Sequence, residues 1–224
     1  MLSERTASVH DLEVTVQTPD AALPGLLTVP AKATGVVAFA HGSGSSRLSP
    51  RNHAVAEFLN EAGLGTLLFD LLTAEEARID EVTRHLRFDI GFLCGRLAGA
   101  VDWLASTRAT ANLPLGLFGA STGAAAALCA AAARPKKVEA VVSRGGRPDL
   151  AGDALPAVRA PTLLIVGGDD QPVIGMNRSA AASLGCEWRL DIVPGATHLF
   201  EEPGTMEQVA LLARQWFLRH LSSP

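Results

Sequence analysis

From Gly35 onward the chain alternates short apolar runs with longer stretches of helical spacing. The runs are GVVAFA, GTLLFD, PLGLFG, VEAVVS, TLLIVGG and EWRLDIVPG. Near-continuous apolar runs divided by helical segments predict crossover units and a mostly parallel sheet buried on both faces. Before them, LEVTV alternates apolar and polar positions, and GLLTVP follows a turn-rich TPDAALP. This pair predicts an antiparallel amino-terminal edge. The expected fold class is therefore α/β, three-layered, with helices on both faces of the sheet.

The helices have their own signals. Ser49-Pro50 opens a helix-forming run that stops at Gly63, with Pro in the first turn and Gly beyond the last. Leu86, Ile90, Leu93, Leu97, Val101 and Leu104 recur at helical spacing and predict one long helix lying on the sheet. Thr205 with Gln208 reads as a capping box for a final helix whose inner side is Met206, Val209, Ala213 and Phe217. The alanine run after Ser121 reads as a helix of small residues, suited to close packing. No repeat or linker interrupts the pattern, so residues 1–224 are read as one domain.

A net charge of -4 and a pI near 5.9, with no basic block, argue against nucleic acid or an anionic membrane as the main partner and favour a small molecule. The amino terminus MLSERTASVHD lacks an apolar core, and no run reaches about 18 apolar residues, so a cytoplasmic protein is expected. Cys94, Cys129 and Cys186 sit at long spacings in apolar settings and read as small buried side chains, with no metal site. The pattern does not set an oligomeric state.

The chemistry centres on PLGLFGASTGAA, residues 114–125. An apolar strand runs into Gly-x-Ser-x-Gly and then into a small-residue helix, which is how a nucleophile elbow is written. Ser121 is the candidate nucleophile, with Gly119 and Gly123 leaving room for the turn. Serine needs a base oriented by a carboxylate. Asp169 and Asp170 end the run LLIVGGDD, and His198 lies in the loop after the next strand, so the order is Ser, Asp, His, as in α/β-hydrolases. Asp70 is a distant third acid, read as structural. His10, His53, His85 and His220 read as surface or structural residues. An oxyanion needs two backbone donors. Thr122 N–H supplies one, and Ser43 N–H, in the glycine-rich HGSGSS after the strand GVVAFA, is the expected second. Read as a phosphate loop, HGSGSS lacks the lysine and spacing of a P-loop.

HGSGSS, GASTG, VGGDDQPV and GATHLF together resemble the dienelactone-hydrolase-like branch of the α/β-hydrolase superfamily, over nearly the whole chain. The resemblance is closest to small members found fused to a phosphoribosyltransferase domain that this sequence does not contain. It implies an α/β-hydrolase fold, no metal and no organic cofactor. It also favours Asp170 as the acid, since that residue stands three before Val173, and leaves Asp169 to cap the turn. Dienelactone hydrolases carry cysteine in the elbow; Ser121 here favours ordinary ester hydrolysis. The expectation is a cofactor-independent serine hydrolase acting on a small ester. The alternatives are an acyltransferase or thioesterase with the same residues, or an idle hydrolase-fold binding protein.

The segment SRGGRPDLAGDALPAVRA is too short for a helical cap, so an open site is expected. Arg144 and Arg147 leave a strand end beside it and are candidate contacts for an acidic substrate group, with Arg47 a weaker one. Leu72, Phe200 and Met176 are expected to line the acyl side.

Overall fold

A computed structural model describes residues 12–221. The amino-terminal stretch read above as lacking a leader or anchor, with its His10, lies outside the described residues. Eight strands form one sheet: β1 Leu12–Gln17, β2 Ala22–Thr28, β3 Gly35–Ala40, β4 Leu64–Phe69, β5 Leu115–Ala120, β6 Val138–Arg144, β7 Thr162–Gly167 and β8 Trp188–Val193. Their order is β1-β2-β4-β3-β5-β6-β7-β8. β1 and β2 pair antiparallel, β2 meets β4 antiparallel, and every later pairing is parallel. β2 begins earlier than GLLTVP suggests. Thr18 closes the preceding turn by bonding Ala21, and Pro24 is tolerated because the β2–β4 pairing begins one residue later, at Gly25, so its missing N–H falls at the end of that ladder while its carbonyl accepts the Asp70 N–H.

Helices α1 Pro50–Glu61, α2 Ala74–Thr83, α3 Ile90–Ser106, α4 Thr122–Ala133, α5 Gln171–Ala181 and α6 Thr205–His220 complete the layers. α1 and α6 cover one face and α3 and α4 the other. β3 feeds both cores: Val36, Ala38 and Ala40 face α3 and α4, while Val37 and Phe39 face α1 and α6. Burial on both sides is why β3 to β7 read as unbroken apolar runs rather than alternating ones. Among the described residues no helix is long and apolar enough to cross a membrane.

Ser49 caps α1 as expected, accepting the Asn52 N–H. Two helix starts differ from the sequence pattern. α3 begins at Ile90, capped by Asp89, because the buried Asp80 carboxylate accepts the N–H groups of Leu86 and Arg87 and holds residues 86–88 in a separate 3₁₀ turn. At α6 the capping box does not form: Gly204, at φ 81°, provides the cap position, and Thr205 is already helical with its hydroxyl donating to Glu202 O. A capping box does open α2, where Thr73 and Glu76 bond reciprocally. The 3₁₀ segment Pro148–Ala157 fills the gap after β6, so no large cap covers the carboxyl ends of the strands.

The loop following β3 crosses those ends and is tied down at three points. His41 accepts the Leu71 N–H at Nε2, which leaves the proton on Nδ1 to donate to Gly42 O at 3.0 Å. Asp70 accepts both the backbone N–H and the guanidinium of Arg47. His53 bonds Arg47 O at 3.0 Å. Burial holds the His41 imidazole below its ordinary pKa of 6.5.

Two outcomes are expected. On α3, Gly95→Ala should stabilise the protein by about 0.5–1 kcal/mol, since an added Cβ meets nothing within 4 Å. Gly99→Ala, one turn on, should destabilise it by about 1–3 kcal/mol, because its Cβ would lie 2.8 Å from Thr18. Denaturant midpoints that move in the same direction contradict this. For His41, the unfolded chain takes up a proton near the ordinary value while the folded chain resists it. The stability it contributes is complete above about pH 6.5 and falls as the pH drops below, by at most about 1.4 kcal/mol per pH unit. Urea unfolding from pH 7.5 to 5 should show a steeper acid loss for the wild type than for His41→Gln; parallel curves contradict the assignment.

Candidate active site

The turn between β5 and α4 is the most constrained point of the backbone. Ser121 has φ 51° and ψ -120°, a conformation rarely held by a residue with a side chain. Gly119 and Gly123 make it possible: a Cβ at Gly119 would sit 2.4 Å from Ala124 Cα, and one at Gly123 would sit 2.2 Å from Ala40 O. The turn aims the Ser121 hydroxyl away from the sheet at the carboxyl ends of the strands.

Ser121 Oγ lies 3.4 Å from His198 Nε2, and His198 Nδ1 lies 2.7 Å from Asp170 Oδ2. The bond to the carboxylate puts the Nδ1 proton toward Asp170 and leaves Nε2 free to accept from serine. Asp169 is exposed and its side chain makes no capping bond among the described residues; its backbone N–H donates to Ala196 O. Asp70 belongs to the loop tether instead. Neighbours that were not singled out from the sequence hold the imidazole. Gly145, at φ 52°, passes beneath the ring, where a Cβ would lie 3.7 Å from His198 Cε1. Glu202 clamps the histidine loop by accepting from Thr197 N–H at 3.0 Å and from its hydroxyl at 2.6 Å, which holds the Glu202 carboxyl below the usual range. Asn177, buried on α5, donates to Gly146 O at 2.9 Å. The signals for Gly145 and Asn177 were weak: a double glycine after β6 and one amide on an otherwise ordinary helix.

Two cavities meet at the loop after β3. The larger, about 610 Å³, is lined by Ser43, Thr122, Leu72, Leu93, Arg84 and Arg87 among others. The smaller, about 210 Å³, contains Ser121 and His198 together with Ser43, Arg51, Asn52 and Arg144. Ser43 lines both, and Thr122 begins α4, where the first helical N–H groups have no partner within the helix.

Of the expected substrate contacts, Arg144 lines the small cavity and Leu72 the large one. Arg147 does neither: its guanidinium pairs with Asp149 at 2.7 Å. Phe200 is only 2 % exposed and packs in the core with its ring under Arg144, because φ 56° at this residue turns it inward. Met176 on α5 lines neither cavity, and Arg47 is engaged by Asp70. Arg51, at the start of α1, is a lining residue with no sequence signal beyond its charge. Burial and the neighbouring Arg51 lower the Arg144 pKa to about 10. Among the described residues no group of three His, Cys, Asp or Glu side chains is arranged to hold a metal ion.

The chain has recognisable relatives. Residues 23–220 match the model of the Dienelactone hydrolase family. A protein of Mycobacterium tuberculosis H37Rv that carries the name of a phosphoribosyl transferase is 58% identical over 216 residues, which is 96% of this chain but 48% of that protein. The chain thus spans about half the length of the curated relatives it matches. A crystal structure of a dienelactone hydrolase from Anabaena variabilis superposes with a TM-score of 0.94 at 60% identity, covering 95% of this chain and 99% of that one. Est1E from Butyrivibrio proteoclasticus shares the fold, with a TM-score of 0.76 at 16% identity over 92% of this chain and 98% of its own. The family match over residues 23–220 and 60% identity to a dienelactone hydrolase that shares the whole fold, antiparallel edge included, make this chain a member of the dienelactone hydrolase family.

Proposed function

We propose that this protein is a serine hydrolase that cleaves small carboxylic esters through an acyl-enzyme. The observation that carries the reading is the continuous contact from Ser121 Oγ through His198 to Asp170, at 3.4 and 2.7 Å, on a strained turn beside two cavities. His198 Nε2 takes the Ser121 proton as Oγ bonds to the ester carbonyl carbon. The tetrahedral oxyanion is held by the N–H groups of Ser43 and Thr122. As the carbonyl re-forms, the bond to the alcohol oxygen breaks and His198 returns its proton to that oxygen. Water then repeats the sequence on the acyl-enzyme and releases the acid. Asp170 orients the imidazole and stabilises its charged form.

The carboxylate assignment separates two adjacent residues. Asp170→Asn should lower kcat on 4-nitrophenyl acetate by about 10³–10⁴-fold while leaving the fold intact. Asp169→Asn, at an exposed position, should change it by no more than about twofold. A large loss at Asp169 with little at Asp170, in steady-state assays on folded proteins, overturns the assignment.

A further inference from the structure

Among the described residues, β8 ends the sheet on the side away from β1, with β7 as its one neighbour. Thr162 N–H donates to Glu187 O, and Gly168 N–H donates to Val193 O. Backbone groups alternate sides along a strand. Glu187, Arg189, Asp191 and Val193 therefore turn theirs toward β7, and Trp188, Leu190 and Ile192 turn theirs outward. Edge strands commonly discourage a further strand by a proline, a lysine, a bulge or shortness. β8 is six residues long, contains neither proline nor lysine, and pairs with β7 in unbroken register. Two of its apolar side chains stand in the open, Trp188 at 45% and Ile192 at 36% exposed.

The sequence of this edge is complementary to itself. We propose that β8 pairs antiparallel with β8 of a second copy of this chain, about a two-fold axis at Leu190. That register sets Leu190 opposite Leu190 and Trp188 opposite Ile192. Each of these pairs has outward backbone on both strands, so each exchanges two N–H···O bonds. The exposed Trp188 of one copy covers Ile192 of the other on one face of the new ladder. On the other face Arg189 stands opposite Asp191, at a non-hydrogen-bonded pair, where Cα atoms are about 4.5 Å apart and side chains are closest. Within one chain Arg189 Nε already donates to Asp191 Oδ1 at 2.9 Å. The two pairs side by side make a ring of alternating charges. Other registers fail. A slip of one residue opposes outward backbone groups to inward ones. A slip of two sets Arg189 against Arg189 and Glu187 against Asp191, or, in the opposite sense, Asp191 against Asp191. The pairing joins two eight-stranded sheets into one continuous sheet. Because the axis is normal to that sheet, the carboxyl ends of the strands in the two copies point in opposite directions, and both sites stay open.

The test is the mass in solution, by light scattering on the protein as it elutes from a sizing column. The wild type should give about twice the 23.3 kDa of one chain. Arg189→Asp sets acid against acid on both sides of the axis and should raise the dimer dissociation constant about tenfold or more. Adding Asp191→Arg to that variant restores opposite charges across the axis and should return the dimer. Leu190→Pro removes an N–H that β7 does not use, so it should give a monomer whose circular dichroism matches the wild type. A wild type with the mass of one chain overturns the proposal, and Arg189 and Asp191 then serve to keep copies apart. A dimer that persists in both Arg189→Asp and Leu190→Pro overturns it as well, since the contact then lies elsewhere. So does a charge-reversed double variant that folds as the wild type does and stays monomeric.

Discussion

The close approach of α4 to the ends of β3 and β5 is the constraint on which the rest of the molecule depends. A serine at positive φ is unfavourable by itself and persists only where its surroundings leave no alternative. Those surroundings are two glycines with backbone on every side, a helix built largely of alanine, and strands buried on both faces. Larger residues on α4 would lift the helix from the sheet and relax the turn. The composition of the helix and the exposure of the Ser121 hydroxyl are thus one requirement seen from two ends.

The loops around that turn are fixed by polar contacts rather than by packing. His41, Asp70 and His53 secure the loop that carries Ser43, and Glu202, Gly145 and Asn177 position the loop and ring of His198. Three of these tethers, His41 to Leu71, Asp70 to Arg47 and Asn177 to Gly146, join residues 23 to 31 positions apart, so rigid strands and helix ends help to set the spacing of Ser121, His198 and Asp170. Arg144 differs from these. It is 6% exposed, its Nε has no partner and its Nη2 reaches the neutral Asn52 Oδ1 at 3.4 Å rather than an acid.

Much of this was legible in the chain. Of the six apolar runs from Gly35 to Val193, the five that became β3 to β7 are hydrophobic almost throughout because those strands are buried on both faces, whereas β8 is a largely exposed edge strand with polar residues among its apolar ones. The Ser, Asp, His order pointed to residues that do meet in space. The differences have local causes. The stripe from Leu86 to Leu104 was broken by Asp80, a carboxylate on another helix that captured two N–H groups of the predicted first turn. The Thr205 box lost to a glycine able to adopt φ 81°. Arg147 and Phe200 were placed by proximity in sequence, but an acid two residues away took one and a left-handed turn buried the other. Arg51 was missed because nothing along the chain reveals that α1 delivers it to the same cavity as Arg144.

The most direct test of Ser121 as an activated nucleophile is the intact mass of the protein after incubation with a fluorophosphonate, beside a Ser121→Ala control. One adduct on the wild type and none on the variant is the expected result, because only an alkoxide generated by His198 on an exposed turn reacts at a useful rate. An unmodified wild type that remains folded, or an adduct that persists in Ser121→Ala, would contradict the assignment.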